Sequence, residues 1–258
     1  MKSYSFKLKK LSHLTLIVIF LFTLSKQSFA QKKSFFEGPY VGGAIGYTTY
    51  KTRFNDPVNG PTPLDWYLVF DGGVFKKTDN LDGKNINGTI STGYNWILDK
   101  NYLFGLEAEA SSGKKIVHSS TKPGFATSEW GADINYIANL RLKAGTIHED
   151  KNLFYLTVGP AMAKAKYSAG FTSGVHPISI NKTVYGLSYG VGVERQIDDK
   201  SSMKLEYMLT DLNSESKPYP NSDGTGCYYP RDGVTANCIG PSWKTKISSI
   251  RIGYNYHF

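Results

Sequence analysis

The sequence predicts an all-β protein: an eight-stranded antiparallel transmembrane up-and-down β-barrel with long extracellular loops. Three observations lead there. Eight segments of about 10–12 residues alternate apolar and polar side chains, enough to cross a bilayer at the usual strand tilt. The connections between them alternate long and short, the pattern of barrels with long external loops and short periplasmic turns. The last stretch places Ile250, Ile252, Tyr254, Tyr256 and Phe258 on one parity and Ser249, Arg251, Gly253, Asn255 and His257 on the other. A period of two puts these sets on opposite faces of a strand. Such a strand, apolar to its end, invites aggregation as a soluble edge and fits a barrel closed in lipid.

Residues 1–30 stand apart. Lys2, Lys7, Lys9 and Lys10 precede an apolar run from Leu14 to Leu24, and Ser28-Phe-Ala30 follows. A basic start, a short apolar run and small residues at −3 and −1 read as a secretory signal with cleavage after Ala30. The run is shorter than the ~20 residues of a helical span. The barrel domain is therefore expected over 31–258. Five lysines and no acids lie in residues 1–30, so the formal charge falls from +9 to +4 without them. That balance, with no nucleic-acid motif, points away from DNA or RNA as a partner. The 26 Gly, 18 Tyr and 14 Phe fit a β-barrel composition.

The first strand is expected over 39–50, with Val41, Gly43, Ile45 and Tyr47 on one face. A long loop, 51–86, follows and contains Trp66-Tyr-Leu-Val-Phe70 as a small extension or a loop plug. Strand two covers 87–98, and Asp99-Lys-Asn101 has the residues of a tight turn. Strand three covers 102–112, with Tyr102, Phe104, Leu106 and Ala108 against Gly105, Glu107 and Glu109. A polar loop, 113–133, precedes strand four at 134–145, which sets Leu140 and Leu142 against Arg141 and Lys143. A short link at 148–152 leads into strand five, 153–167. Pro160 is a misfit there, because proline has no N–H for the ladder, and a bulge or local break is expected. After a loop at 168–183, strand six covers 184–197 and strand seven 202–212, joined by Asp198-Asp-Lys200. A long fourth loop, 213–245, precedes the closing strand.

With the N-terminus in the periplasm, aromatic residues sort by height. Tyr94, Trp96, Tyr102, Phe104, Phe154, Tyr254, Tyr256 and Phe258 fall at periplasmic strand ends, and Tyr47, Tyr136, Tyr185 and Tyr189 towards the external ends. Two girdles at the membrane interfaces are the expectation. The inward parity collects Glu107, Glu109, Glu194 and Glu206 with Arg141, Lys143, Lys204 and Arg251. Unpaired buried ions cost several kcal/mol, so these four acids and four bases are expected to form one network. An eight-stranded barrel has room only for its own side chains, so a filled polar interior is expected and no open pore.

Candidate sites lie mostly in loops. Cys227 and Cys238 are the only cysteines, eleven positions apart in the fourth loop. A secreted address makes a disulfide the expectation, with two free thiols as the alternative. Closing so short a loop contributes on the order of 2–3 kcal/mol and acts on loop shape. His118 and His176, in loops two and three, are candidates for haem or metal ligation, although exposed loop histidines are usually solvated. No cofactor or metal is expected. His118-Ser-Ser120 is similar to the His-x-Ser pairing of a barrel lipid A deacylase, but no third carboxylate accompanies it, and no enzyme activity is expected. Lys164 and Lys166 sit at the external end of strand five as candidate contacts for lipopolysaccharide phosphates, which lysine binds as a point charge.

Tyr40-Val-Gly-Gly-Ala-Ile-Gly-Tyr47, Gly93-Tyr-Asn-Trp96, Leu205-Glu-Tyr-Met-Leu-Thr-Asp-Leu212 and Gly253-Tyr-Asn-Tyr-His-Phe258 together resemble the small outer-membrane barrel proteins of Gram-negative bacteria. The RopB-type surface antigens are the nearest in pattern, with the OmpA and OmpX barrels as wider relatives. The resemblance implies an eight-stranded outer-membrane barrel, inserted by the barrel-assembly machinery through its C-terminal aromatic strand, and a monomer in contact with outer-membrane lipid and lipopolysaccharide is expected. Tyr254, Tyr256 and Phe258 are then the assembly signal. Implied roles range over envelope integrity, surface antigenicity, adhesion and haemin or host-ligand binding through the external loops. The loops of this chain depart from the family, the fourth above all.

Overall fold

Alternation becomes strand in the computed structural model of the chain, which describes residues 34–55, 78–99, 101–120, 128–171, 178–216 and 242–258. β1 spans Gly38–Asn55, β2 Thr78–Leu98, β3 Tyr102–Ser120, β4 Ser128–His148, β5 Asn152–Phe171, β6 Ile178–Gln196, β7 Ser201–Leu212, β8 Glu215–Ser216 and β9 Ser242–His257. β1 to β7 pair antiparallel in sequence order, β7 pairs with β9, and β9 returns to β1 from Tyr40↔His257 to Asn55↔Ser242. Eight long strands close the barrel, and the two-residue β8 adds to the external end of β9. Closure removes the sheet edge whose backbone groups lipid cannot satisfy.

The short connections are tight turns. Asn101 N–H donates to Asp99 O at 2.6 Å. Glu149 and Asp150 have φ of 51° and 57°, a left-handed pair at the centre of a turn that the Lys151 N–H closes by donating to His148 O at 3.3 Å. Between β6 and β7, Asp198 accepts the Lys200 N–H at 2.8 Å. That bond holds the Asp198 carboxyl below its ordinary range.

The outer wall carries an apolar band. Ile45, Ile90, Leu140, Leu156, Val191, Leu205 and Ile252 are all exposed, as lipid-facing residues are on a transmembrane barrel. At one rim the rings of Tyr94 and Trp96 lie 4.8 Å apart, Trp96 and Phe104 6.0 Å, and Tyr256 and Phe258 5.2 Å. Tyr47, Tyr136, Tyr185 and Tyr189 are exposed towards the other.

The strands run further outward than the alternation suggests. β2 begins at Thr78, nine residues before the expected start, and β3 continues to Ser120, which takes His118 out of a loop and places it opposite Trp130. The cause is an apolar core at the external end of the barrel. Tyr50, Leu81, Ile116, Ile134, Tyr167, Ile180 and Trp243 pack against one another there, all buried. The β2–β3 ladder runs only from Leu98↔Tyr102 to Thr89↔Ser111, and the β6–β7 ladder only from Gln196↔Ser202 to Gly186↔Leu212. Beyond those points the described strands form two sheets, β2–β1–β9–β8 and β3–β4–β5–β6, whose inner faces share the apolar core.

Pro160 makes a break and no bulge. The β4–β5 ladder passes from Asn139↔Ala161 to Leu142↔Val158 in unchanged register, while Pro160 stays paired with Leu187 on β6. The missing N–H costs pairing on one side only. The bulge lies between Ile134 and Tyr136. Ile134 and Ile137 are both buried, so the inward parity switches there, as one extra residue requires. Gly113 faces this bulge, where a Cβ would collide with the Ile134 carbonyl.

Candidate functional site

The lumen is filled at three levels. At the periplasmic mouth, Phe36, Leu103, Ile147, Leu153 and Tyr155 form a small apolar cluster with Phe35 and Ile97 against it. The Phe35 and Tyr40 rings pack on the His257 imidazole at 4.6 and 5.6 Å. Asn95 Nδ2 donates to Phe36 O at 3.0 Å and ties down the segment before β1. The apolar core described above fills the external level.

Between them lie the eight charged side chains, all buried. Glu107 stands opposite Arg141, Glu194 opposite Lys204, and Glu206 opposite Arg251 on neighbouring strands, so register alone brings acid beside base. Closure joins these pairs. The Arg141 guanidinium reaches Glu107, Glu109 at 2.8 Å and Glu206 at 3.0 Å. Arg251 binds both oxygens of Glu109, at 2.9 and 2.7 Å, and its Nε donates to Glu206 at 2.8 Å. Lys143 Nζ sits 3.7 Å from Glu107 and 3.6 Å from Glu194. Lys204 lies 3.3 Å from Glu107. Four carboxylates face four cations in a site closed to water, where paired charges hold and single ones do not.

Several neutral partners have no charge to mark them in sequence. Tyr40 donates to Glu107 at 2.7 Å, Asn139 to Glu109 at 2.8 Å, and Ser202 to Glu194 at 2.5 Å. The Tyr40 and Tyr155 rings flank Lys143 Nζ at 4.7 and 4.6 Å. Inward glycines make the room: a Cβ at Gly192 would collide with the Tyr155 ring. A large polar ring among small residues on an inward parity is the signal that could have found Tyr40.

The expected polar interior is thus confined to the middle level. Ser202, His257 and Glu194 also meet there, but in no catalytic order. Ser202 Oγ at 3.1 Å and Glu194 Oε1 at 3.3 Å both approach the same nitrogen, His257 Nε2. A triad needs the carboxylate on the other ring nitrogen and the hydroxyl free to reach substrate.

The remaining candidates lie on the outside or beyond view. Lys164 is half-buried opposite Tyr136 and Thr183, and Lys166 is exposed opposite Asp133 and Asn181. Tyr254 and Phe258 project outward, and the Phe258 N–H donates to Pro39 O at 3.2 Å. Cys227, Cys238, His176 and Trp66–Phe70 lie outside the described residues.

A family model agrees with this geometry. Residues 14–258 match the family model described as the outer membrane protein beta-barrel domain. The chain belongs to that family. It is 25% identical over 226 residues to the 31 kDa outer-membrane immunogenic protein of Brucella melitensis, a match covering 86% of this chain and 83% of that protein. The protein of the same description from Brucella suis matches equally. Among solved structures, OprG from Pseudomonas aeruginosa aligns with a TM-score of 0.46 at 12% identity, over 86% of this chain and 97% of that one. The outer-membrane protease OmpT from Escherichia coli aligns at 0.42 and 12% identity, over 90% of this chain and 100% of that one. Membership in the family makes this chain an outer-membrane β-barrel surface protein of a Gram-negative bacterium.

Proposed function

We propose that this barrel is a non-catalytic surface protein that stabilises the envelope and displays external loops. The filled lumen carries the reading. Eight paired charges at mid-level, with apolar clusters above and below, favour a rigid support over a conduit. The immunogenic description of the Brucella relatives favours surface display. Planar-bilayer recording of the refolded protein tests it: no steady conductance is expected, and a stable open level would overturn the sealed-lumen reading. Lys164 and Lys166 serve in this reading as contacts to lipopolysaccharide phosphates. Unaltered lipopolysaccharide binding after both are changed to Gln would remove that part.

A further inference from the structure

Like charges directly opposed across a β-ladder repel, yet β1 and β9 carry two such rows side by side. Lys51 lies opposite Lys246, and Arg53 opposite Lys244. All four side chains are exposed on the outer face of the wall. Local carboxylates offset them only in part. Asp211 lies 3.4 Å from Lys244 and 3.6 Å from Lys246. Asp82 is the register partner of Lys51 on β2, and exposed Lys84 follows two residues on. Among the described residues, no ion pair engages Lys51 or Arg53. Among the described residues, five cations therefore share two carboxylates.

What lies beneath identifies the ligand chemistry. A surface groove runs from Lys51 and Lys246 past Thr49 and Ser248 to Tyr47, Tyr207 and Ile250. Ile45 and Ile252 continue the same face into the lipid band. The order down the wall is cation, hydroxyl, phenol, aliphatic. It complements an amphiphile whose phosphates sit at the external interface and whose chains lie in the bilayer.

We infer that Lys51, Arg53, Lys244 and Lys246 form a binding site for the phosphates of an outer-leaflet glycolipid, lipid A. Arg53 supplies a planar fork for phosphate oxygens, and the lysines act as point charges. The acyl chains lie against the Tyr47–Ile45 and Ile250–Ile252 columns. The site rests on the outer-membrane placement, and it is separate from Lys164 and Lys166 on the far wall.

The full chain, refolded in detergent, is titrated with bis-phosphorylated lipid A, with lipid A stripped of both phosphates, and with inorganic phosphate as competitor. Three proteins are compared: wild type, K51Q/R53Q/K244Q/K246Q and K164Q/K166Q, each checked for a heat-shifted gel band. The quartet substitution is expected to weaken lipid A binding by at least about tenfold. Dephosphorylated lipid should bind wild type as weakly, and millimolar inorganic phosphate should not compete. Equal affinity in wild type and the quartet variant overturns the site. Displacement by inorganic phosphate overturns its assignment to a lipid, and a loss confined to K164Q/K166Q overturns its localisation. Should the quartet variant fail to fold, K51Q/K246Q provides the same comparison. Absence of a heat-shifted band in wild type would instead overturn the barrel reading itself.

Discussion

Arg141 is the residue on which the middle of the lumen turns. It is fully buried and touches Glu107, Glu109 and Glu206. Arg141→Met should cost about 3–5 kcal/mol, because it leaves carboxylates buried without their charge partner. Urea unfolding of the refolded barrel measures this, and a loss below about 1 kcal/mol would show the network to be dispensable. Asp198 offers a milder test. Its folded-state acidity is raised by the Lys200 N–H, so its contribution is present above the unfolded value near ~4 and is lost as pH falls below it. Wild type should therefore exceed Asp198→Asn in stability at neutral pH, and the two should converge in acid. A gap that widens on acidification contradicts the assignment.

Among elements, β9 has three tasks. It closes the ring on β1, contributes Arg251 to the charge network, and presents Tyr254 and Phe258 to the lipid rim. Deleting Phe258 should lower the yield of heat-shifted barrel in outer membranes while leaving loop-borne binding by the assembled fraction unchanged. Normal assembly of the deletion would rule out an assembly role for this terminus. The parity switch in β4 shows how finely one inserted residue acts. Below it Arg141 and Lys143 face inward, and above it Ile134 and Ala132 do. Gly113→Val should destabilise the barrel by roughly 1–3 kcal/mol, as other overpacked sites do, measured by the same urea midpoint.

For the whole molecule, polarity is layered along the axis inside and out. The outer wall passes from an aromatic rim through an aliphatic band to tyrosines and then cations. The lumen passes from an apolar mouth through charge to a second apolar core. That external core lies between the extended ends of the strands. A haemin titration of the folded protein with and without residues 217–241 tests whether those loops bind ligand. No difference between the two is expected for a display scaffold, and loss of a saturable signal on deletion would favour the binding reading.

Strand number, inward charge and lipid-facing apolar residues were legible in the sequence because each depends only on local parity. Glu107, Arg141 and Arg251 share a face by counting alone. Their partners required closure: Arg251 meets Glu109 from 142 positions away in the chain, and no local pattern encodes that distance. The bulge at Ile134–Tyr136 was likewise hidden, since Pro160 was the visible irregularity and a missing N–H need not shift register. The lengths of the strands were decided by the packing of Tyr50, Leu81, Ile116 and Trp243. Those residues sit in segments rich in Gly, Asp, Asn and Lys, and only the opposite sheet supplies the apolar surface that holds them extended. The cationic rows on β1 and β9 are of the same kind. Each strand shows two ordinary basic residues on its outer face, and only the β1–β9 register sets them face to face.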